Sequence, residues 1–211
     1  MEKRQRPWGD ENALNEAAKA INEGHVVIGD TDTVPGLFAA CTARGVAQLN
    51  AIKERSDKPY LLLLDSKEAL FSFVKQPLLL QSETLIEKFW PGPLTLILAA
   101  QEDIPTYLQS KEGGIAIRIP EHVQIRQLAH LCGGLLSTSA NFTGEPTPKT
   151  LDEVDKRMLE MAACIMSDPH HEVSDIPSTI LDATGTQIRV VREGIIPIDE
   201  LEAAVGTPFI R

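Results

Sequence analysis

Cations and hydroxyls recur in this chain at the points where apolar runs stop. Asp30-Thr31-Asp32-Thr33 follows directly on the apolar stretch His25–Ile28, and Lys53-Glu54-Arg55-Ser56-Asp57-Lys58-Pro59 closes an amphipathic segment. Ser137-Thr138-Ser139-Ala140-Asn141 extends Leu135-Leu136, and Ser178-Thr179 is joined further on by Arg192. In open α/β sheets, strand ends are where ligands bind. A guanidinium grips phosphate or carboxylate with two parallel hydrogen bonds, whereas an ammonium acts as a point charge. Lys53, Arg55, Lys58, Arg118 and Arg192, with hydroxyls and an amide beside them, are the equipment of a triphosphate site. The usual glycine signatures are missing: the chain has no Gly-x-Gly, no Gly-x4-Gly-Lys loop and no Gly-x-Ser-x-Gly. Such a site would have to be built from side chains.

Each segment also has a plainer reading. Thr-Asp-Thr is equally a Ser/Thr turn, three cations at a helix end compensate its dipole, and a Ser/Thr/Asn cluster is an ordinary loop. Arg192 is also read as an exposed ladder residue. His170-His171-Glu172 lacks a third metal ligand nearby and reads as a solvated loop. Trp90 is read as a packing anchor at a turn in preference to an adenine platform.

The elements that must position these residues follow from periodicity. Residues 11–23 place Leu14, Ala17, Ala18 and Ile21 on one helical face, with Gly24 as the stop. Further helices are expected at 46–55, 67–74, 79–89, 123–131, 150–163 and 198–205, the one at 150–163 opened by a capping box at Thr150-x-x-Glu153. Strands are expected at 25–28, 61–64, 94–100, 114–119, 135–136, 178–181 and 187–191. The alternation predicts an α/β or α+β domain with a mixed sheet. It is assigned to residues 11–206, with a loose segment at 1–10 and a tail at 207–211.

The 211 residues suffice for one core without staples. Composition is ordinary for a globular protein, and no apolar run approaches the roughly 20 residues of a membrane span. Three separated cysteines give no disulfide framework. With no signal-like N-terminus, the expected setting is cytoplasmic. A net charge of −10 argues against general nucleic-acid binding and leaves room for a local anion pocket.

In order along the chain come Thr31-Asp-Thr-Val34-x-Gly36-Leu37, Lys53-x-Arg55, Lys58-Pro59, Phe89-Trp-Pro-Gly-Pro-Leu-Thr95 and Ile117-Arg-Ile-Pro120. Ser137-Thr-Ser-Ala-Asn141-x-x-Gly144, Pro177-Ser-Thr-Ile180 and Arg192-Glu-Gly194 complete the series. This ordered set, covering about residues 15–196, resembles the threonylcarbamoyl-AMP synthases, the YrdC or TsaC family, in their short form. The resemblance implies a YrdC-like twisted mixed β-sheet flanked by helices, with a concave basic active-site face. It implies a nucleotidyltransferase that joins L-threonine, bicarbonate and ATP into threonylcarbamoyl-AMP with release of pyrophosphate. That is the first step of the threonylcarbamoyladenosine modification of tRNA.

By the same resemblance Lys53, Arg55, Lys58, Ser139, Asn141, Thr147 and Arg192 would bind ATP, with Lys53 and Arg55 catalytic. Thr33, Arg118, Ser137 and Ser178 would hold threonine. Mg²⁺ would accompany the phosphates, with no protein ligand implied, and a tRNA threonylcarbamoyl transferase complex would be a transient partner. A double-stranded RNA or tRNA binding module, or a paralogue with another substrate, are the alternatives; no membrane role is implied. The chain departs from the family pattern at Gly29-Asp30, where Tyr-Pro is usual, at Pro35, where Tyr precedes the Gly, at Phe38, where Gly is common, and at Ser56 and Leu63. These changes concentrate near the expected amino-acid pocket.

Overall fold

The computed structural model describes residues 5–54, 59–168, 174 and 176–211. Ten strands form one mixed sheet in the order β1-β8-β2-β3-β7-β4-β6-β5-β9-β10. They are β1 Gln5–Pro7, β2 Val27–Gly29, β3 Gly36–Ala40, β4 Leu61–Leu63 and β5 Leu94–Ala99, then β6 Gly114–Arg118, β7 Leu135–Ser139, β8 Ile165–Ser167, β9 Thr179–Asp182 and β10 Arg189–Arg192. Pairing is parallel for β1/β8, β2/β8, β4/β6 and β5/β9, and antiparallel elsewhere. The helices are α1 Glu11–Asn22, α2 Ala43–Lys53, α3 Lys67–Leu70, α4 Leu80–Phe89, α5 Val123–Cys132, α6 Lys156–Met161 and α7 Ile198–Val205. This is the expected mixed α/β sheet.

Side-chain alternation assigns each strand residue to a face. Ile28, Leu37, Leu62, Leu96, Ile117, Leu136 and Leu181 point to one face, where they pack with Leu49 and Ile52 of α2, Leu85 of α4, Met158 of α6 and Leu201 of α7. On the other face, Val27, Phe38, Leu63, Leu135 and Met166 meet Leu14, Ala17 and Ile21 of α1 and Ile125 and Leu128 of α5. Helices α1 and α5 therefore roof that second face only from β8 to the start of β7 and the end of β4. The rest is left for something else.

Several expectations change. Residues 5–10 are not loose: β1 pairs with β8, and Trp8 is buried. The tail is docked too, because Ile210 bridges Arg189 and Phe209 is buried. An indole or phenyl ring gains enough on burial to recruit a short terminal segment, which a scan for regular elements overlooks. The expected 150–163 helix divides into a 3₁₀ turn at Leu151–Glu153 and α6. Thr150 makes no side-chain cap, Val154 is extended, and Asp155 caps α6 by accepting from the Arg157 amide at 2.8 Å. The helix expected at 67–74 stops at Leu70. Strands β3 and β8 were not anticipated, since β3 is buried on both faces and shows no alternation, while β8 is three residues long.

Candidate active site

A cavity of about 630 Å³ fills the unroofed half of the second face. Its walls repeat the pleat: Leu61 and Leu63 from β4, Thr95 and Ile97 from β5, Ala116 and Arg118 from β6, Ser137 and Ser139 from β7, with Ile180 and Arg192 alongside. Register explains the convergence. Ser137 lies opposite Leu61, Ile97 opposite Ala116, and Arg192 opposite Ile180, so these residues share one side of the sheet. The turn between β2 and β3 adds Thr31, Asp32 and Thr33, and Thr147 and Ser178 close the ring.

Arg118 is the best-held cation. Its Nε donates to the Gly92 carbonyl at 3.0 Å, and its Nη1 donates to Thr33 Oγ1 at 3.1 Å. Its Nη2 forms an ion pair with Asp32, and both side chains are buried. The other Asp32 oxygen accepts from the Glu121 amide at 2.9 Å. Gly92 has no room for a side chain, since a Cβ there would lie 2.5 Å from the Phe89 carbonyl oxygen. The Trp90-Pro-Gly-Pro93 turn thus presents the Gly92 carbonyl to Arg118. Trp90 itself is buried and donates to the Leu94 carbonyl at 2.7 Å, so it anchors packing. The Thr31–Thr33 turn is self-braced: Thr31 Oγ1 donates to the Val34 carbonyl at 2.9 Å and accepts from the Thr33 amide at 2.9 Å.

Arg192 stands opposite in character. Its guanidinium holds the Ser178 carbonyl at 2.8 and 3.2 Å, and the Ser178 hydroxyl meets that of Thr95 at 2.9 Å. No carboxylate among the described residues pairs with Arg192. Partial burial and, after it, the charge of Arg118 hold its pKa below the ordinary arginine value, although the side chain is still exposed at the cavity. Two guanidiniums that repel across one cavity favour an anion between them.

Lys53 stands at the junction of α2 and β7, beside the cavity residue Ser139. It is buried, and its ammonium donates to the Ser139 carbonyl at 2.9 Å, to Asn141 Oδ1 at 3.1 Å and to the Asn141 carbonyl. It does not line the cavity; a phosphate contact would require it to exchange those oxygens. What it does is fasten the end of α2 to the end of β7. Ser139 Oγ in turn donates to Asn141 Oδ1 at 2.6 Å, and Asn141 Nδ2 donates to the Glu145 carbonyl at 2.7 Å.

Of the residues singled out in the sequence, Thr33, Arg118, Ser137, Ser139, Thr147, Ser178 and Arg192 share the cavity, and Lys53 and Asn141 adjoin it through Ser139. Arg55, Lys58 and the His170-His171-Glu172 cluster lie outside the described residues. Thr95 and Asp32 line the wall, and the sequence assigns neither a role although both lie inside quoted motifs. Thr95 is a lone hydroxyl in Leu94-Thr95-Leu96-Ile97, and its alternation with leucine was the available signal. Asp32 sat inside a noticed motif, but its partner Arg118 is 86 residues away.

The chain is similar to known proteins in sequence and in fold. The Sua5/YciO/YrdC family profile, described as telomere recombination, matches residues 19–194. The chain is 35% identical over 187 residues to a protein named putative threonylcarbamoyl-AMP synthase from Methanocaldococcus jannaschii, covering 87% of this chain and 86% of that one. It is 31% identical over 193 residues to the threonylcarbamoyl-AMP synthase of Pyrococcus abyssi, covering 90% of this chain but only 56% of that longer protein. The crystal structure of P. abyssi Sua5 complexed with L-threonine superposes with a TM-score of 0.89 at 29% identity, over 98% of this chain and 62% of that one. E. coli YciO shares the fold, with a TM-score of 0.79 at 21% identity over 91% and 94% of the two chains. On a profile match that takes in most of its length, the chain belongs to the Sua5/YciO/YrdC family.

Proposed function

We propose that this protein is a threonylcarbamoyl-AMP synthase, condensing L-threonine, bicarbonate and ATP. The observation that carries the reading is one cavity with two differently equipped ends. At one end Arg118, Asp32 and Thr33 present a cation, an anion and a hydroxyl, which complement the carboxylate and amino groups of an amino acid. At the other, Arg192 has a positive charge with no carboxylate on it among the described residues, and it holds the Ser178 carbonyl. That end suits nucleotide phosphates. The names borne by the M. jannaschii and P. abyssi relatives, and the threonine in the P. abyssi complex, support the same assignment.

The chemistry requires no protein nucleophile. The threonine amine adds to the bicarbonate carbon and water leaves, giving a carbamate. A carbamate oxygen then attacks the ATP α-phosphorus, and pyrophosphate departs. The protein's part is to hold the two reactants in line and to stabilise the charge that develops on the phosphate. Lys53 contributes here through position, by fixing Ser139 and Asn141. No cluster of three or more His, Cys, Asp or Glu suited to a metal occurs among the described residues. Mg²⁺ would accompany the ATP phosphates in this reaction. The product is a labile mixed anhydride, which favours prompt transfer to an enzyme acting on tRNA.

The test is pyrophosphate release by purified protein with ATP, Mg²⁺, bicarbonate and a panel of amino acids, with the adenylate identified by mass spectrometry. Release that requires threonine supports the assignment. Release indifferent to the amino acid, or none at all, refutes it.

A further inference from the structure

We infer that Trp8, outside the cavity and absent from every motif above, is a positioning residue for the amino-acid end of the site. The residue stands one layer behind the cavity wall. Its backbone amide donates to the Ser167 carbonyl at 3.0 Å, which seats it at the end of the β1/β8 ladder. Its indole Nε1 donates to Asp30 Oδ1 at 2.5 Å, and the second Asp30 oxygen accepts from the Asp168 amide at 2.8 Å. Asp30 immediately precedes Thr31, where the cavity-lining turn begins. Tension or slack in the Trp8–Asp30 link is therefore passed directly to Thr31, Asp32 and Thr33.

The ring packs against two further side chains. It meets Phe38 of β3 edge to face at 6.2 Å between centroids, and lies 5.1 Å from His122. His122 caps α5 by accepting from the Ile125 amide at 3.4 Å, and Ile125 lines the cavity. The fit is close enough to exclude a side chain at Gly29, where a Cβ would stand 2.6 Å from Trp8 Cζ2. Gly29, Asp30 and Phe38 are thus adapted to one indole, and three of the departures noted in the sequence become a single linked set. Trp8 touches no described residue of the Arg192 end in these contacts, so its influence is confined to the Thr31–Thr33 end. The role of that end as the amino-acid site rests on the proposed function; the mechanical role of Trp8 does not.

The experiment compares wild type with Trp8→Phe, which keeps an aromatic ring and removes the N–H donor. We expect the threonine KM to rise roughly tenfold, as when a hydrogen bond to a charged acceptor is lost, with kcat and the ATP KM within about twofold. Amide hydrogen exchange at Thr31–Val34, measured without substrates, is expected to quicken by about the same factor. Asp30→Asn should produce the same pattern, and the double variant should show less than the sum of the two. Equal rises in both KM values, or unchanged exchange in the turn, would overturn the inference in favour of a merely structural tryptophan. If wild type shows no threonine-dependent turnover, the functional reading fails, and the exchange data alone still decide whether Trp8 holds the turn.

Discussion

Replacing Lys53 by methionine keeps the apolar stem and removes only the ammonium. Three oxygens then lose a charged donor: the carbonyls of Ser139 and Asn141, and Asn141 Oδ1. Hydrogen bonds to a charged group contribute about 1.5–3 kcal/mol each, but bonds that share one donor do not add. Relief from burying an ammonium offsets part of the loss, because that burial costs several kcal/mol. A net loss of about 3 kcal/mol follows, which lowers the melting temperature of a chain this long by roughly 6–12 °C. Ser139 lines the cavity, so its displacement should also lower kcat/KM for ATP by about a hundredfold, on the scale expected for a 1 Å misplacement. Calorimetry and pyrophosphate release on the same preparation measure both. A variant that loses activity with an unshifted melting temperature would refute the reasoning, because that result assigns Lys53 to the phosphate and not to the β7 end.

Arg192→Gln removes a guanidinium that is exposed at the cavity and makes no described carboxylate pair. The expected outcome is a raised ATP KM, with the threonine KM and thermal stability nearly unchanged, measured by initial rates and a melt. Burial pushes the thiols of Cys41, Cys132 and Cys164 from 9.0 to about 11, the last with Arg6 opposing the shift. At pH 8 the folded protein should therefore alkylate about a hundredfold more slowly than the denatured chain, as mass spectrometry after timed iodoacetamide treatment would show. The sign also carries over to stability. Above about pH 9 the unfolded state releases thiol protons that the native state retains, so stability falls as pH rises, readable in urea titrations at pH 8 and pH 10.

Individual residues show how far the sequence reading reached. The resemblance groups Lys53 and Asn141 as one nucleotide-binding set, and they do touch, yet they meet the cavity only through Ser139 and do not line it. The reason is that α2 packs on the opposite face of the sheet and reaches Asn141 around the end of β7, a path that helical periodicity does not encode. Trp8 was passed over with a segment read as loose, because three residues of strand carry too little periodicity to register. Asp32 was noticed only as part of a turn. Its ion pair with Arg118 joins the β2–β3 turn to the end of β6, and only strand order brings those together.

Local chemistry was settled by the chain itself: helix faces from apolar spacing, the mixed α/β class from alternating elements, and the identities of most polar residues around the cavity from their places at strand ends. These depend on contacts a few residues apart and on the fixed period of the pleat. Which half of the sheet stays unroofed was decided only in three dimensions. Helices α1 and α5 cover one half of the face and leave Thr95, Arg118, Ser137 and Ser139 open to the cavity. That outcome depends on strand order and register across more than a hundred residues, where side-chain complementarity and not local propensity sets the energy.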